Sequence, residues 1–557
     1  MNKYIIKGLA TLMVGVGLAS CSDGYLDVAP ITTLDAATAS ATVEGANLAL
    51  NGVCRSMNTQ YQSISITPNF NGESWYATFY GDMLGSDAFY WMWANRVQAF
   101  YNWDNNIMIN GAVPGYAWRY PYILISQCNN ILVGETTAEG DAAERASVMA
   151  QARTIRAHAY IRLVQCFAPR WEDSNNGEYK CIVLRKTPGT EDLPLSSMKE
   201  VLDFIYEDLD RAIELYNTTG VTKSSYIWRP NINVAKGLYA RAAMIRHDYA
   251  KAQTMAHEAR EGYPIMSAKE YKDGFCEANG EWMWANSLDD QIYYWAFGSW
   301  YACNGPYPTL WLRGAGAINY DLARQIPVED CRAQLFFTPE VSEYYGYGAS
   351  RGLFWNANAV DPTTMNCLGS NGRMREAVRN MCVHAIPNQD KEKFGEAYTN
   401  RTGEDAGSGS QIIPFGAQFK FWCVDTYGKG QFPFMRAAEF LLTEAEAAYR
   451  NGDEPTAKNC INELLAKRNP NQTCSSTGDA LLEEIRLQRR IELWGEGHSW
   501  FDLKRWNLPM VRKTWEASNR DSNNIPAAYG ITKDPSDQGW VFVTPQSETD
   551  YNHAINR

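Results

Sequence analysis

The sequence predicts a mostly α-helical protein: a frame of paired helices carrying large loop-rich insertions, with few short strands. Three observations predict it. Apolar residues recur at three- and four-residue steps over long stretches, the rhythm of helices with one buried face. Small alanines mark two helix–turn–helix stretches where helices must approach closely. Between these lie segments too rich in Gly, Pro, Asn, Trp and Tyr for a helix to persist.

Taken in order, "DAAERASVMAQARTIRAHAYIRLVQCF" (141–167) places Ala152, Ile155, Ala159, Leu163 and Cys166 or Phe167 on one helical face. "SSMKEVLDFIYEDLDRAIELY" repeats the rhythm through Val201, Ile205, Leu209, Ala212 and Leu215, with Ser196 or Ser197 as its cap. Residues 231–265 form two helices around His247-Asp248, with Ala235, Ala252, Ala256 and Ala259 at the close approaches. A second such pair, 436–470, turns at Asn451-Gly452-Asp453. Each pair resembles a tetratricopeptide repeat, whose period is about 34 residues. The two are far apart in the chain, so they form no uninterrupted solenoid in sequence. The expected frame spans about 110–265 and 436–510, the insertions about 52–109 and 266–435, and an irregular tail 511–557, all in one domain from 52.

At 557 residues and 45% hydrophobic, the chain can bury a large core, and general disorder is excluded. Its formal charge of -12 repels nucleic acid and anionic lipid alike, so no nucleic-acid partner is expected. Nineteen Trp and 32 Tyr against six His favour recognition by ring faces over proton-transfer chemistry.

The start, "MNKYIIKGLATLMVGVGLASC", has basic Lys3 and Lys7 and then an apolar run too short to span a bilayer, so residues 1–20 read as an export signal. Leu18-Ala19-Ser20-Cys21 matches the lipobox of bacterial lipoproteins, making Cys21 the lipidation site and 21–51 a tether. Acidic Asp23 behind Ser22 looks like a surface-export tag. No later transmembrane helix is expected. The twelve further cysteines show no C-x-x-C pair and no zinc-finger spacing, so metal ligation is not expected, although exported thiols can oxidise. Phosphate-loop, dinucleotide and EF-hand motifs are also absent, and no cofactor is expected.

Two segments carry the binding chemistry. "DAFYWMWANRVQAFYNW" (87–103) holds seven aromatic rings in seventeen positions of a chain averaging 13%. A sugar ring lays its C–H face on an aromatic plane and needs polar partners around its hydroxyl rim. On an extended backbone Trp91 and Trp93 share a side, with Asp87, Asn95 and Arg96 as the fringe. The second segment, 281–311, offers Trp282, Trp284, Tyr293, Tyr294, Trp295, Trp300, Tyr301 and Trp311 among Asn286, Asp289, Asp290 and Gln291. Arg313 and Arg351 are additional donors. The pentapeptide WMWAN occurs at both 91–95 and 282–286, a coincidence in a Trp-rich chain. Against this stands the packing role that most tryptophans serve.

"RAAEFLLTEAEAAYRNGD" followed by "EIRLQRRIELWGEGHSWFDLKRWN", together with Cys21, "YLDVAP", the 151–168 helix and the repeat at 231–265, resembles the SusD/RagB-like family over nearly the whole mature chain. The resemblance implies a tetratricopeptide scaffold on a surface-exposed outer-membrane lipoprotein. Such a protein captures oligo- or polysaccharide without catalysis and caps a SusC-like TonB-dependent transporter. The chain departs from the family pattern at Gln488-Arg489, where Glu-Arg is usual, and at Glu496-Gly497-His498-Ser499, where EGxR is usual. Two charges are thereby missing from a structural network. Glu439, Glu446, Arg489, Arg490, Glu492, Glu496 and Asp502 are expected to form buried ion pairs that hold helices in register, with the arginines of RLQRR (486–490) as partners for Glu439 and Glu446 on one helical face, and His498 is expected to pack near a helix end.

Two alternatives remain at this level. One is capture of a peptide or another nutrient, or a scaffold role for the transporter. The other is a glycoside hydrolase using Asp82, Asp104, Asp289 or Asp290, which needs two carboxylates about 5 to 10 Å apart across a cleft.

Overall fold

The computed structural model describes residues 40–58, 72–90, 103–219, 226–272, 275–287, 316–336, 338–344, 352–356, 410–414, 416, 418, 420–421, 430–514, 525 and 530–555. Its longer helices are α1 (Val43–Ser56), α2 (Ala112–Leu132), α3 (Ala142–Phe167), α4 (Met198–Thr219), α5 (Ile232–Arg246), α6 (Tyr249–Arg260), α7 (Ala437–Arg450), α8 (Glu454–Arg468), α9 (Asp479–Glu492) and α10 (Ser499–Trp506). The fold is mostly helical, as the periodicity predicts.

Local chemistry sets the ends of these helices. Of the two candidate caps for α4, Ser197 serves: its Oγ accepts the Glu200 backbone N–H at 3.2 Å while the Glu200 carboxylate accepts the Ser197 backbone N–H at 2.6 Å. Val201, Ile205, Leu209, Ala212 and Leu215 are all buried. α3 is buried almost all round because α2 and α4 cover opposite flanks and α1 and α5 close the rest.

The two predicted turns use one device. His247 ends α5 in the left-handed region (φ 61°) and Asp248 caps α6 through the Lys251 backbone N–H. Gly452 (φ 81°) and the Asp453 cap on Thr456 do the same between α7 and α8. α6 packs directly on α7, so the helix pairs that sequence separates are neighbours in space. A Cβ on Gly237 of α5 would stand 2.6 Å from the Phe440 ring of α7, so the absence of a side chain lets these helices meet.

The strands form two-stranded antiparallel ladders: β1 (Ala88–Tyr90) with β5 (Gly316–Ile318), β2 (Lys180–Val183) with β3 (Leu195–Ser197), β4 (Trp282–Ala285) with β8 (Pro433–Arg436), β6 (Gly352–Asn356) with β7 (Ser410–Pro414), and β9 (Met510–Arg512) with β10 (Ile531–Lys533). The β4–β8 ladder joins the beginning of the long insertion to its end, immediately before α7. An insertion whose ends are paired leaves the helical frame undisturbed.

One boundary differs from expectation: residues 43–51, read as tether, belong to α1, which seats on α2 and α3. The tail 511–557 packs on the core: the Phe542 backbone N–H donates to the Cys166 carbonyl at 2.9 Å, and Trp540 meets Trp103 edge-on at 4.6 Å.

The predicted ion pairs form, but the carboxylates of Glu439 and Glu446 take arginines from outside RLQRR. Glu439 takes Arg241, Glu446 takes Arg505, Arg489 takes Asp502, and Arg490 takes Asp87. Glu492 sits at the centre of a wholly buried network, bonded by Arg436 and Arg468 at 2.9 Å and Arg332 at 3.3 Å. Arg436 also reaches Glu281 and Glu496, Lys420 reaches Glu496, and Arg332 reaches Asp330. Four cations thus face four carboxylates. Gln488, neutral where the family pattern has Glu, accepts from Arg332 Nη2 at 2.7 Å and keeps that balance. At the second departure Ser499 donates to Asp87 at 3.1 Å, so neither change leaves the network short of a partner. His498 stands at the N-terminus of α10.

Candidate functional site

The β1–β5 ladder positions the candidate site. Its register pairs Ala88 with Ile318, Phe89 with Ala317 and Tyr90 with Gly316. In an antiparallel pair of this register, the chain leaving β1 at Tyr90 and the chain arriving at Gly316 share one end of the ladder. The first runs into residues 91–102 and the second comes from 288–315. The two aromatic-rich segments therefore join the described frame at the same end of this ladder, although no sequence pattern links them.

Asp87, immediately before β1, fastens this ladder to the frame. Only 2% exposed, it receives Arg490 Nη2 at 2.6 Å and Nε at 3.1 Å, besides the Ser499 hydroxyl. Its carbonyl accepts Trp494 Nε1 at 2.8 Å and the Asn319 backbone N–H at 3.0 Å. A carboxylate so engaged has nothing left for a sugar hydroxyl. Its expected place on the ligand fringe is corrected to that of a foundation.

Trp282 and Trp284 are corrected likewise: they are 1% and 0% exposed. Trp284 meets His158 edge-on at 5.2 Å and Phe434 at 5.5 Å, and its Nε1 donates to the Trp228 carbonyl at 3.2 Å. Trp282 lies 6.4 Å from the Phe275 ring. Pairing with β8 turns both faces of β4 inward, so alternation leaves neither ring facing water. Asn286 is equally committed, donating to the Gly430 carbonyl at 3.3 Å. The remaining candidates, Trp91, Trp93, Asn95, Arg96, Tyr293, Tyr294, Trp295, Trp300, Tyr301 and Trp311, lie outside the described residues, as do Cys21, Arg313 and Arg351.

Of the carboxylates considered for hydrolysis, Asp82 is 1% exposed in the π-helix Ala77–Met83, where burial pushes its acid well above the usual range while it accepts the Gly497 backbone N–H at 2.8 Å. A buried group closed over by backbone meets no substrate. Asp104 is exposed, and Asp289 and Asp290 lie outside the described residues. Among the described residues no group of three His, Cys, Asp or Glu could hold a metal ion, and no helix is long and apolar enough to cross a membrane.

The frame that carries this ladder is matched by two family profiles, one described as the SusD family over residues 424–555 and one as "starch-binding associating with outer membrane" over 48–244. The chain belongs to the SusD/RagB-like family. A SusD-like protein of Bacteroides ovatus is 22% identical over 522 residues, covering 88% of this chain and 80% of its own. Among solved structures, a SusD-like carbohydrate binding protein of Bacteroides vulgatus aligns with a TM-score of 0.68 at 21% identity, covering 92% of this chain and 97% of the other. A SusD superfamily protein of Bacteroides thetaiotaomicron gives 0.67 at 19%, covering 92% and 99%. At such identities the likeness establishes the SusD-like fold. The profiles leave residues 245–423 unmatched, the span that contains the second aromatic segment.

Proposed function

We propose that this SusD-like protein captures an oligo- or polysaccharide at the cell surface without altering it and passes it to a SusC-like TonB-dependent transporter. The observation that carries this reading is the β1–β5 ladder, at one end of which both aromatic-rich segments are attached. Trp91 and Trp93 from one segment, with Tyr293, Tyr294, Trp295, Trp300, Tyr301 and Trp311 from the other, supply ring faces. Asn95 and Arg96 supply hydrogen bonds to hydroxyls. The family profile described as starch-binding and the relative described as carbohydrate binding support the ligand class. The same profile description supports placement at the outer membrane, and the lipobox Leu18-Ala19-Ser20-Cys21 supports Cys21 as the lipid anchor.

Two or three stacked rings with a few partly solvated hydrogen bonds correspond to dissociation constants roughly from micromolar to millimolar. Such affinity suits a protein seated over a transporter, where effective concentration drives the next step and tight binding would obstruct release.

The test is a glycan panel run beside a peptide panel on the mature chain, then repeated on Trp91→Ala/Trp93→Ala. Retention of a glycan by the native chain and its loss in the variant, with an unchanged melting temperature, is the expected result. Binding confined to peptides, or new reducing ends on prolonged incubation, would replace this reading.

A further inference from the structure

A hollow of about 80 Å³ lies among α3, α5, α7 and α10, and none of its lining residues belongs to the β1–β5 ladder. On the measure by which one water needs about 10–15 Å³, it holds several waters or one small ion. Its lining is electrically lopsided: Arg162, Arg170, Arg241, Arg489, Lys504 and Arg505 against two carboxylates, Glu439 and Asp502. Both carboxylates are already committed, Glu439 to Arg241 and Asp502 to Arg489 and Arg505. The carboxylates that pair with Arg162, Arg170 and Arg505, namely Glu73, Asp173 and Glu446, are not part of the lining.

Lys504 is the cation without a counter-ion. It is 9% exposed, its ammonium donates to the Gln165 carbonyl at 2.9 Å, and it rests 5.3 Å from the centre of the Trp500 ring. No carboxylate among the described residues pairs with it, and an ammonium has three donors to satisfy. His498 lines the same space. Burial pushes Lys504 down to about 8. Burial, then Arg489, Arg241 and Arg162, holds His498 well below its ordinary value. The Lys504 shift comes from burial, and the part of the His498 shift that comes from the surrounding arginines marks a place where positive charge is in surplus.

We infer that this hollow is a binding site for a small oxyanion, with Lys504 as its charged donor and His498 as a neutral one. The group is common to inorganic phosphate or sulfate and to the carboxylate or sulfate of an acidic sugar. The inference is independent of glycan capture at the ladder.

The experiment uses the full mature chain in a zwitterionic buffer, with sodium phosphate, sodium sulfate or sodium glucuronate against sodium chloride of equal ionic strength. Thermal melting of the native chain is expected to rise by about one degree with at least one oxyanion at about tenfold its dissociation constant, and by about three to four degrees at about a thousandfold. Lys504→Met is expected to lose that rise, and Lys504→Arg to keep it. Comparison with Lys504→Met removes the general salting-in and salting-out contribution of sulfate. Equilibrium dialysis of labelled phosphate, sulfate and glucuronate against the native chain gives the stoichiometry even where a variant fails to fold, with one anion per chain expected. Preference for glucuronate points to a sugar source and preference for phosphate or sulfate to a free ion. No saturable uptake of any of the three, or equal stabilisation of the native and Lys504→Met proteins, overturns the proposal.

Discussion

Arg490 and Asp87 are joined by two hydrogen bonds, of 2.6 and 3.1 Å, that tie the third-to-last residue of α9 to the residue that opens the β1–β5 ladder. This pair couples the stability of the frame to the placement of both aromatic segments. Asp87→Asn keeps the shape but leaves Arg490 without its charge partner. The expected cost is about 3 kcal/mol in urea unfolding. If Asp87 touched ligand instead, glycan retention would fall with the unfolding midpoint unchanged.

Ring position decides between packing and binding. Trp284→Ala should destabilise the fold by about 3 to 5 kcal/mol, because its partners His158 and Phe434 cannot collapse into the space. Trp91→Ala should leave the unfolding midpoint unchanged and weaken glycan retention about tenfold, the equivalent of 1.4 kcal/mol. A matched pair of unfolding and affinity-gel measurements separates the two outcomes.

Acid should unfold the protein through its buried carboxylates. Burial pushes Glu73 and Glu446 up, but Arg162 and Arg505 outweigh it and bring each down to about 2 from 4.5. A carboxyl whose folded value is depressed contributes fully above its unfolded value, and the contribution disappears as pH falls toward the folded one. These two carboxylates should therefore lower the melting temperature between about pH 4.5 and 2, below a first decline that begins near pH 6.5 where buried His498, also depressed in the fold, must take up its proton. Glu446→Gln should start lower at neutral pH and fall less steeply.

The charge balance around Glu492 makes a further prediction. Gln488→Glu adds a fifth carboxylate to four cations in a fully buried setting. Stability at neutral pH should fall by about 1 to 3 kcal/mol, and recover partly as pH is lowered toward the new group's raised pKa. An unchanged midpoint would show that the network takes up the charge by moving.

The eight cysteines among the described residues, Cys54, Cys128, Cys166, Cys181, Cys276, Cys331, Cys460 and Cys474, are buried free thiols. Burial pushes Cys54, Cys166 and Cys181 up to about 12, which suppresses the thiolate. Native alkylation followed by peptide mapping should find these eight unmodified. Denaturant should expose them all.

Much of the frame is legible in the residues themselves, because helix periodicity, caps and turn residues act over a few positions. The faces of 141–167 and 198–215, the Ser197 cap, and the turns at His247-Asp248 and Asn451-Gly452-Asp453 all follow from neighbours within one helical turn. The ion-pairing class of Glu439, Glu446 and Glu492 was legible too, since buried carboxylates require cations, whereas the partner of each was not.

What only the tertiary structure decided is which distant segments meet. WMWAN at 282–286 carries the same letters as 91–95, yet pairing with β8 sends both of its tryptophans into the core. Asp87 looks like a ligand-fringe residue until Arg490, more than four hundred positions away, is brought against it. Strand register and charge pairing between remote segments depend on the path of the whole chain. Local composition can therefore specify that rings are present, while only the assembled frame specifies which of them have a free face.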